Sequence, residues 1–187
     1  MRDTQQHYQL GTSLDIYEDK TNQYDFDSIK QQATLFQSNT NPMPSFGYSD
    51  ATYWVKFTIK NQSQHETWIL EQRFPVTHHL DIQVINPTTG KINTINSGSL
   101  TRPEERDIKH RRILFEIKLK PGEHREILAR IRSEASLIID LRLSTLNAFM
   151  DHEANDNLVF GIFYGALLIM FCYIFLIFIV LKDASFG

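Results

Sequence analysis

From Leu158 to Leu181 the chain reads LVFGIFYGALLIMFCYIFLIFIVL, a run without a charge, a proline or an amide. As a helix this run of about 24 residues reaches roughly 36 Å, at ~1.5 Å rise per residue. A bilayer core is only about 30 Å thick, so the segment crosses it with some tilt. A helix that is apolar all round has no face for water, and a domain of this size cannot bury it. A transmembrane helix is therefore expected over residues 158–181, and whatever precedes it folds on one side of a membrane. Lys182 follows the run directly, while Asp151, Glu153 and Asp156 precede it. The basic flank stays in the cytoplasm, which places the N-terminal part outside.

About 157 of the 187 residues precede the span, enough for one domain with a real core. The net charge of −3 gives no basic field, so nucleic acid is not an expected partner. Cys172 is the only cysteine, and it lies in the span. The outer domain thus has no disulfide and must hold by packing, which suits a bacterial periplasmic domain better than a small secreted eukaryotic module. The opening MRDTQQHYQL lacks an apolar signal-peptide core. The expectation is a trimmed start, or a span that itself serves as the export signal, in a fragment of something longer.

Before the span, hydrophobic residues alternate. In YWVKFTIKN, Tyr53, Val55, Phe57 and Ile59 take one face, and Trp54, Lys56, Thr58 and Lys60 the other, the pattern of a half-buried strand. TWILEQRF, LDIQVIN, the stretch around Ile92 to Ile95, RILFEIKL, EILARIR and LIIDLRLS follow as strands between polar turns. Spacing of this kind predicts a mainly β fold, an antiparallel β-sandwich or jelly roll, followed by one transmembrane α-helix. Residues 1–49 are expected as an N-terminal segment lying on the sandwich. Within it Leu14-Asp15-Ile16 reads as a short edge strand and DFDSIKQQATLF as a short helix, with Ser28 and Gln31 at capping-box spacing. QSNTNPMPSFGYS reads as a turn-rich loop. Residues 50–146 form the sandwich core, and 147–157 a juxtamembrane linker.

The order and spacing of SFGYSDATYWVKFTIKN, W-I-L, F-P-x-x-x-x-L-D, a glycine before an Arg-rich loop, FEIKLKPGE and LARIRSEASL resemble the bacterial receptors called 7TMR-DISM, seven-transmembrane receptors with diverse intracellular signalling modules. The outer part is similar to their extracellular domain type 2. GIFYGALLIMFCYIFLIFIVLKDASF is similar to the first helix of their membrane region. The resemblance runs over nearly the whole chain from Leu10. It implies a periplasmic jelly roll similar to carbohydrate-binding modules, six further helices in the bacterial inner membrane, and a cytoplasmic output such as a diguanylate cyclase or histidine kinase. The function it implies is sensing of a small ligand such as a carbohydrate. The alternative is an interaction or dimerisation module without a small ligand.

A sugar site on a sandwich needs an aromatic face for the ring and polar groups for the hydroxyls. Trp54, Glu71, Arg73 and Arg130 all alternate with core residues, and they are the candidate ligand-binding residues if their strands share a sheet. The plainer alternative is that the N-terminal segment covers Trp54 and the arginines are solvated or paired. Trp68 reads as core. The loop TRPEERDIKHRR is rich in arginine, but Glu104, Glu105 and Asp107 are interleaved with it, so a self-paired solvated loop is expected. His78 and His79 are adjacent on a strand, point to opposite faces and do not form a metal site. No cofactor is expected. No nucleophile–base pair or phosphate loop is set in a recognisable frame, so an enzyme is not expected. Gly161 and Gly165 form a G-x-x-x-G helix-packing pair. Their partner is another helix of the same receptor, or a second copy in a homodimer.

Overall fold

A computed structural model describes residues 1–184 except Pro103, Glu105 and Asp107, with side chains described as far as Ile179. It divides into two compact units, Met1–Leu146 and Asn147–Gly187.

In the first unit the strands are β1 (His7–Gln9), β2 (Asp15–Asp19), β3 (Gln37–Ser38), β4 (Ser45–Tyr48), β5 (Thr52–Lys60), β6 (Thr67–Gln72), β7 (His79–Ile85), β8 (Ile92–Ser97), β9 (Ile113–Lys118), β10 (His124–Arg132), β11 (Ser136–Ile138) and β12 (Leu141–Thr145). One sheet runs β3-β2-β5-β10-β7-β8 and a second β1-β12-β6-β9, while β11 and β4 pair separately. Every paired neighbour is antiparallel. The two large sheets share one apolar core. Tyr53, Val55, Phe57 and Ile59 of β5 meet Ile127, Ala129 and Ile131 of β10, Leu80 and Ile82 of β7, Trp68 and Leu70 of β6, and Phe115 and Ile117 of β9. The fold is thus the mainly antiparallel β-sandwich that the alternation predicts, with Trp68 fully buried inside it.

Three local readings change. The first 49 residues do more than lie on the sandwich: β1 pairs with β12, and β2 pairs with both β5 and β3. The helix α1 (Phe26–Lys30) is capped one turn earlier than Ser28 and Gln31 suggest. Asp25 is the cap: its Oδ1 accepts from Asp27 N at 3.2 Å and Ser28 N at 2.8 Å, and Ser28 Oγ accepts from Asp25 N at 2.9 Å. The box therefore closes with serine where glutamate or glutamine is usual. Finally, LIIDLRLS is two strands, β11 and β12, in different sheets. Gln72 pins the break, its Nε2 donating to Ile138 O at 2.8 Å and its Oε1 accepting from Asp140 N at 3.0 Å.

On the outward side of the six-stranded sheet α1 and its flanks bury a second, smaller cluster. Ile29, Trp54 and Leu128 form its centre, with Tyr17, Tyr24, Phe26, Leu35 and Phe36 packed against them.

The second unit carries the helix α2 (Leu146–Ala184), whose first residue closes the first unit and directly follows the last of β12. Residues 147–157 are its first turns. Over Leu146–Ile179 its best window has a mean hydropathy of 2.7 and is 0% buried, so α2 is long and apolar enough to cross a membrane. A Cβ added at Gly161 or Gly165 would meet nothing within 4 Å, which leaves that side of the helix open.

Candidate ligand-binding cleft

The outward residues of β5, β10 and β7 alternate with the core residues, and strand register lines them up in rows. Arg130 lies opposite Trp54 on one side and Asp81 on the other. In the next row Arg132 lies opposite His79. Nothing in EILARIR except the two-residue period puts both arginines on the same face.

Arg130 is held from two directions. Its Nε and Nη2 both donate to Asp81 Oδ2, at 3.2 and 2.7 Å. The ring of Phe26 lies 5.6 Å from its guanidinium carbon, within cation–π range. Phe26 in turn meets Trp54 edge-on, with centroids 5.1 Å apart and planes at 89°. The Asp81 side chain is 12% exposed and that of Arg130 43%, so the carboxylate is the buried anchor and the guanidinium reaches the surface.

A short loop between β2 and α1 makes the wall. Asp19 is fully buried and accepts from Thr21 N at 3.3 Å, Thr21 Oγ1 at 3.0 Å and Tyr24 N at 3.1 Å. Asn22 adopts φ 53°, a left-handed conformation that asparagine tolerates better than most residues. Its Nδ2 donates to Asp50 O at 3.1 Å, and its Oδ1 accepts from Thr52 Oγ1 at 2.6 Å. Floor and wall enclose a cleft of about 290 Å³ lined by Asn22, Tyr24, Thr52, His79, Asp81, Arg130 and Arg132. Donors, acceptors and a phenol edge converge there on the scale of a small polar ligand.

Of the four residues singled out from the alternation, the structure brings two together. Trp54 and Arg130 are neighbours on adjacent strands. Trp54, however, is 0% exposed, so it has no free face on which a ring can stack; it is packed against Phe26 in the buried cluster with Ile29 and Leu128. Its Nε1 is buried without a hydrogen-bond partner. Glu71 and Arg73 do not join them, because β6 pairs with β12 and β9 and so belongs to the other sheet. Glu71 alternates with the core residues Trp68 and Leu70, so it points away from the core on the opposite side of the sandwich. There it accepts from Arg112 Nη1 at 2.8 Å, with the two side chains only 4% and 13% exposed. Arg73 follows β6, and its backbone N donates to Asp140 O at 3.0 Å.

Asn22, Tyr24, Thr52 and His79 carry no signal in the sequence that assigns them to this cleft. Asp81 and Arg132 were legible as outward-facing, but not as a carboxylate anchor and a neighbour of Arg130. His78 and His79 diverge: His78 Nδ1 accepts from Glu134 N at 2.9 Å, while His79 lines the cleft. Among the described residues no group of three His, Cys, Asp or Glu side chains is placed to hold a metal ion. In the arginine-rich loop, Arg106 donates to the carbonyls of Thr101 and His110, both at 3.1 Å, where pairing with acids is expected. The expected roles of Glu105 and Asp107 fall outside the described residues.

The sequence profile of 7TMR-DISM extracellular 2 matches residues 11–145. No curated protein matches the chain. Among solved structures, TmCBM61 in complex with β-1,4-galactotriose is similar at 10% identity and a TM-score of 0.38, covering 72% of this chain and 90% of that one. Xyl-CBM35 in complex with a glucuronic acid-containing disaccharide is similar at 14% identity and a TM-score of 0.34, covering 76% and 93%. The CBM35 from Cellvibrio japonicus Abf62 is similar at 15% identity and a TM-score of 0.33, covering 73% and 89%. The profile match extends from the turn before β2 to the last residue of β12, so it takes in every strand but β1 and every residue of the cleft, and on it the chain belongs to the 7TMR-DISM extracellular 2 family.

Proposed function

We propose that this chain is the ligand-sensing part of a bacterial receptor in the cytoplasmic membrane, and that its β-sandwich binds a small polyhydroxylated ligand, a carbohydrate, in the cleft over Arg130. One observation carries the reading. The Arg130–Asp81 pair uses Oδ2 of the carboxylate and Nε and Nη2 of the guanidinium, which leaves Oδ1 and Nη1 for a ligand. A sugar hydroxyl both donates and accepts, so an acceptor and a donor fixed side by side in a partly desolvated cleft suit it. The family's description as an extracellular domain supports this reading, as does an α2 long and apolar enough to cross a membrane. Occupancy passes through α2 to further helices and a cytoplasmic output. That requires a ligand that favours one of two arrangements of the receptor.

The test is a thermal-shift screen of the full chain in lipid nanodiscs against a panel of neutral and acidic mono- and disaccharides. A true ligand at about a hundredfold over its Kd adds about 2.7 kcal/mol and raises the melting temperature in proportion. If no sugar raises it while a periplasmic protein is captured on the same face, the domain is an interaction module.

A further inference from the structure

Resting on that reading of the cleft, we infer that its ligand carries an acid: the site takes a carboxylated sugar, such as a uronic acid, in preference to the neutral sugar. Counting charge in the cleft decides this. Asp81 is its one carboxylate, and Arg130 already occupies it. The Arg132 side chain, in the next row, has neither a hydrogen bond nor an ion pair among the described residues, and the residue is exposed. The residue opposite Arg132 across the strand pair is His79, itself exposed and with no side-chain partner among the described residues. A cation facing an imidazole gains nothing from its cross-strand neighbour, whereas an acid in that place would stabilise it. Thr52, on the remaining side, is already committed to Asn22. The cleft therefore holds a satisfied half, Arg130–Asp81, that matches hydroxyls, and an unsatisfied half, the Arg132 guanidinium beside His79, that matches an anion. A planar carboxylate is what a guanidinium fork binds with two parallel hydrogen bonds. The cleft is at the small end for ligand sites, which fits one sugar ring bearing its acid on that ring.

The experiment is isothermal titration of the full chain in nanodiscs of neutral lipid with D-glucuronate, D-galacturonate, D-glucose and D-galactose, and with acetate as the bare acid. The expected result is that one uronate binds at least about tenfold more tightly than its neutral parent, a gap of about 1.4 kcal/mol. That preference should shrink as sodium chloride rises from about 20 to about 300 mM, because an exposed cation is screened. In Arg132→Gln the preference should fall to within about threefold, because binding of the uronate weakens far more than binding of the neutral sugar. Arg132 is exposed and unpartnered, so its melting temperature should match the parent's, and Arg132→Lys should restore part of the preference. Equal binding of uronate and neutral sugar overturns the acid inference and leaves the carbohydrate reading standing. Acetate binding as well as the uronates overturns the sugar half. Binding of none of the five overturns both.

Discussion

Replacing Trp54 by alanine removes the largest side chain of the outward cluster, beneath Phe26 and beside Leu128. Truncating a fully buried tryptophan costs about 3–5 kcal/mol, so Trp54→Ala should shift the denaturation midpoint strongly and weaken ligand binding only through the lost fold. A near-normal midpoint would mean that the indole is not packed. The two-residue period is enough to place Trp54 on the face opposite Tyr53 and Val55, but whether that face is wet depends on residues 19–36 folding over it, and no local pattern reports that. Asp25 gives a pH signature. The hydroxyl of Ser28, then backbone N–H groups, hold its carboxyl below the ordinary value. A lowered folded value means the cap is present above the unfolded range and lost as pH falls through the folded value. Exchange protection of the Ile29 and Gln31 amides should therefore drop below about pH 4. Asp25→Asn keeps the acceptor and should flatten that dependence; an unchanged acid profile in this variant would assign the loss to another group.

The long strands β5, β7, β9 and β10 were legible because each alternates over six residues or more. Their pairing was not. A strand's period gives its face but not its neighbour, which is why Glu71 and Arg73 looked able to meet Arg130. The break between β11 and β12 was hidden too, since Ile139 and Asp140 are no turn signal. What bends the chain there is a distant glutamine, Gln72. The β7–β8 edge of the cleft rests on a close approach as well. Gly98 has φ 148°, and a Cβ there would lie 2.0 Å from the carbonyl oxygen of His78. Gly98→Ala should therefore destabilise the domain by about 1–3 kcal/mol, the range for enforced backbone strain, and displace His79. Urea denaturation gives the first, and the His79 ring resonances the second. An unperturbed variant would show that β7 and Gly98 are not so tightly apposed.

At the scale of the molecule, residues 1–146 form one compact unit whose sheets bury each other's inner faces, so this piece should be a soluble, β-rich monomer without α2. Circular dichroism and size exclusion check this; an aggregate would mean that the core needs the membrane or a partner. The two-part plan, a sandwich and then an apolar helix, was readable from hydropathy alone, because both signals are long. The cleft was not, because it is assembled from a loop near residue 22 and strands near residues 81 and 130 that only the tertiary fold brings together. Its proposed role as the sensing site is most directly tested by hydrogen–deuterium exchange of the full chain in nanodiscs, with and without the sugar that gives the largest thermal shift. Added protection should concentrate in residues 19–26, 79–83 and 128–132, where the cleft's wall and floor lie. Protection at the arginine-rich loop or on the opposite sheet around Glu71, with these three segments unchanged, would contradict it.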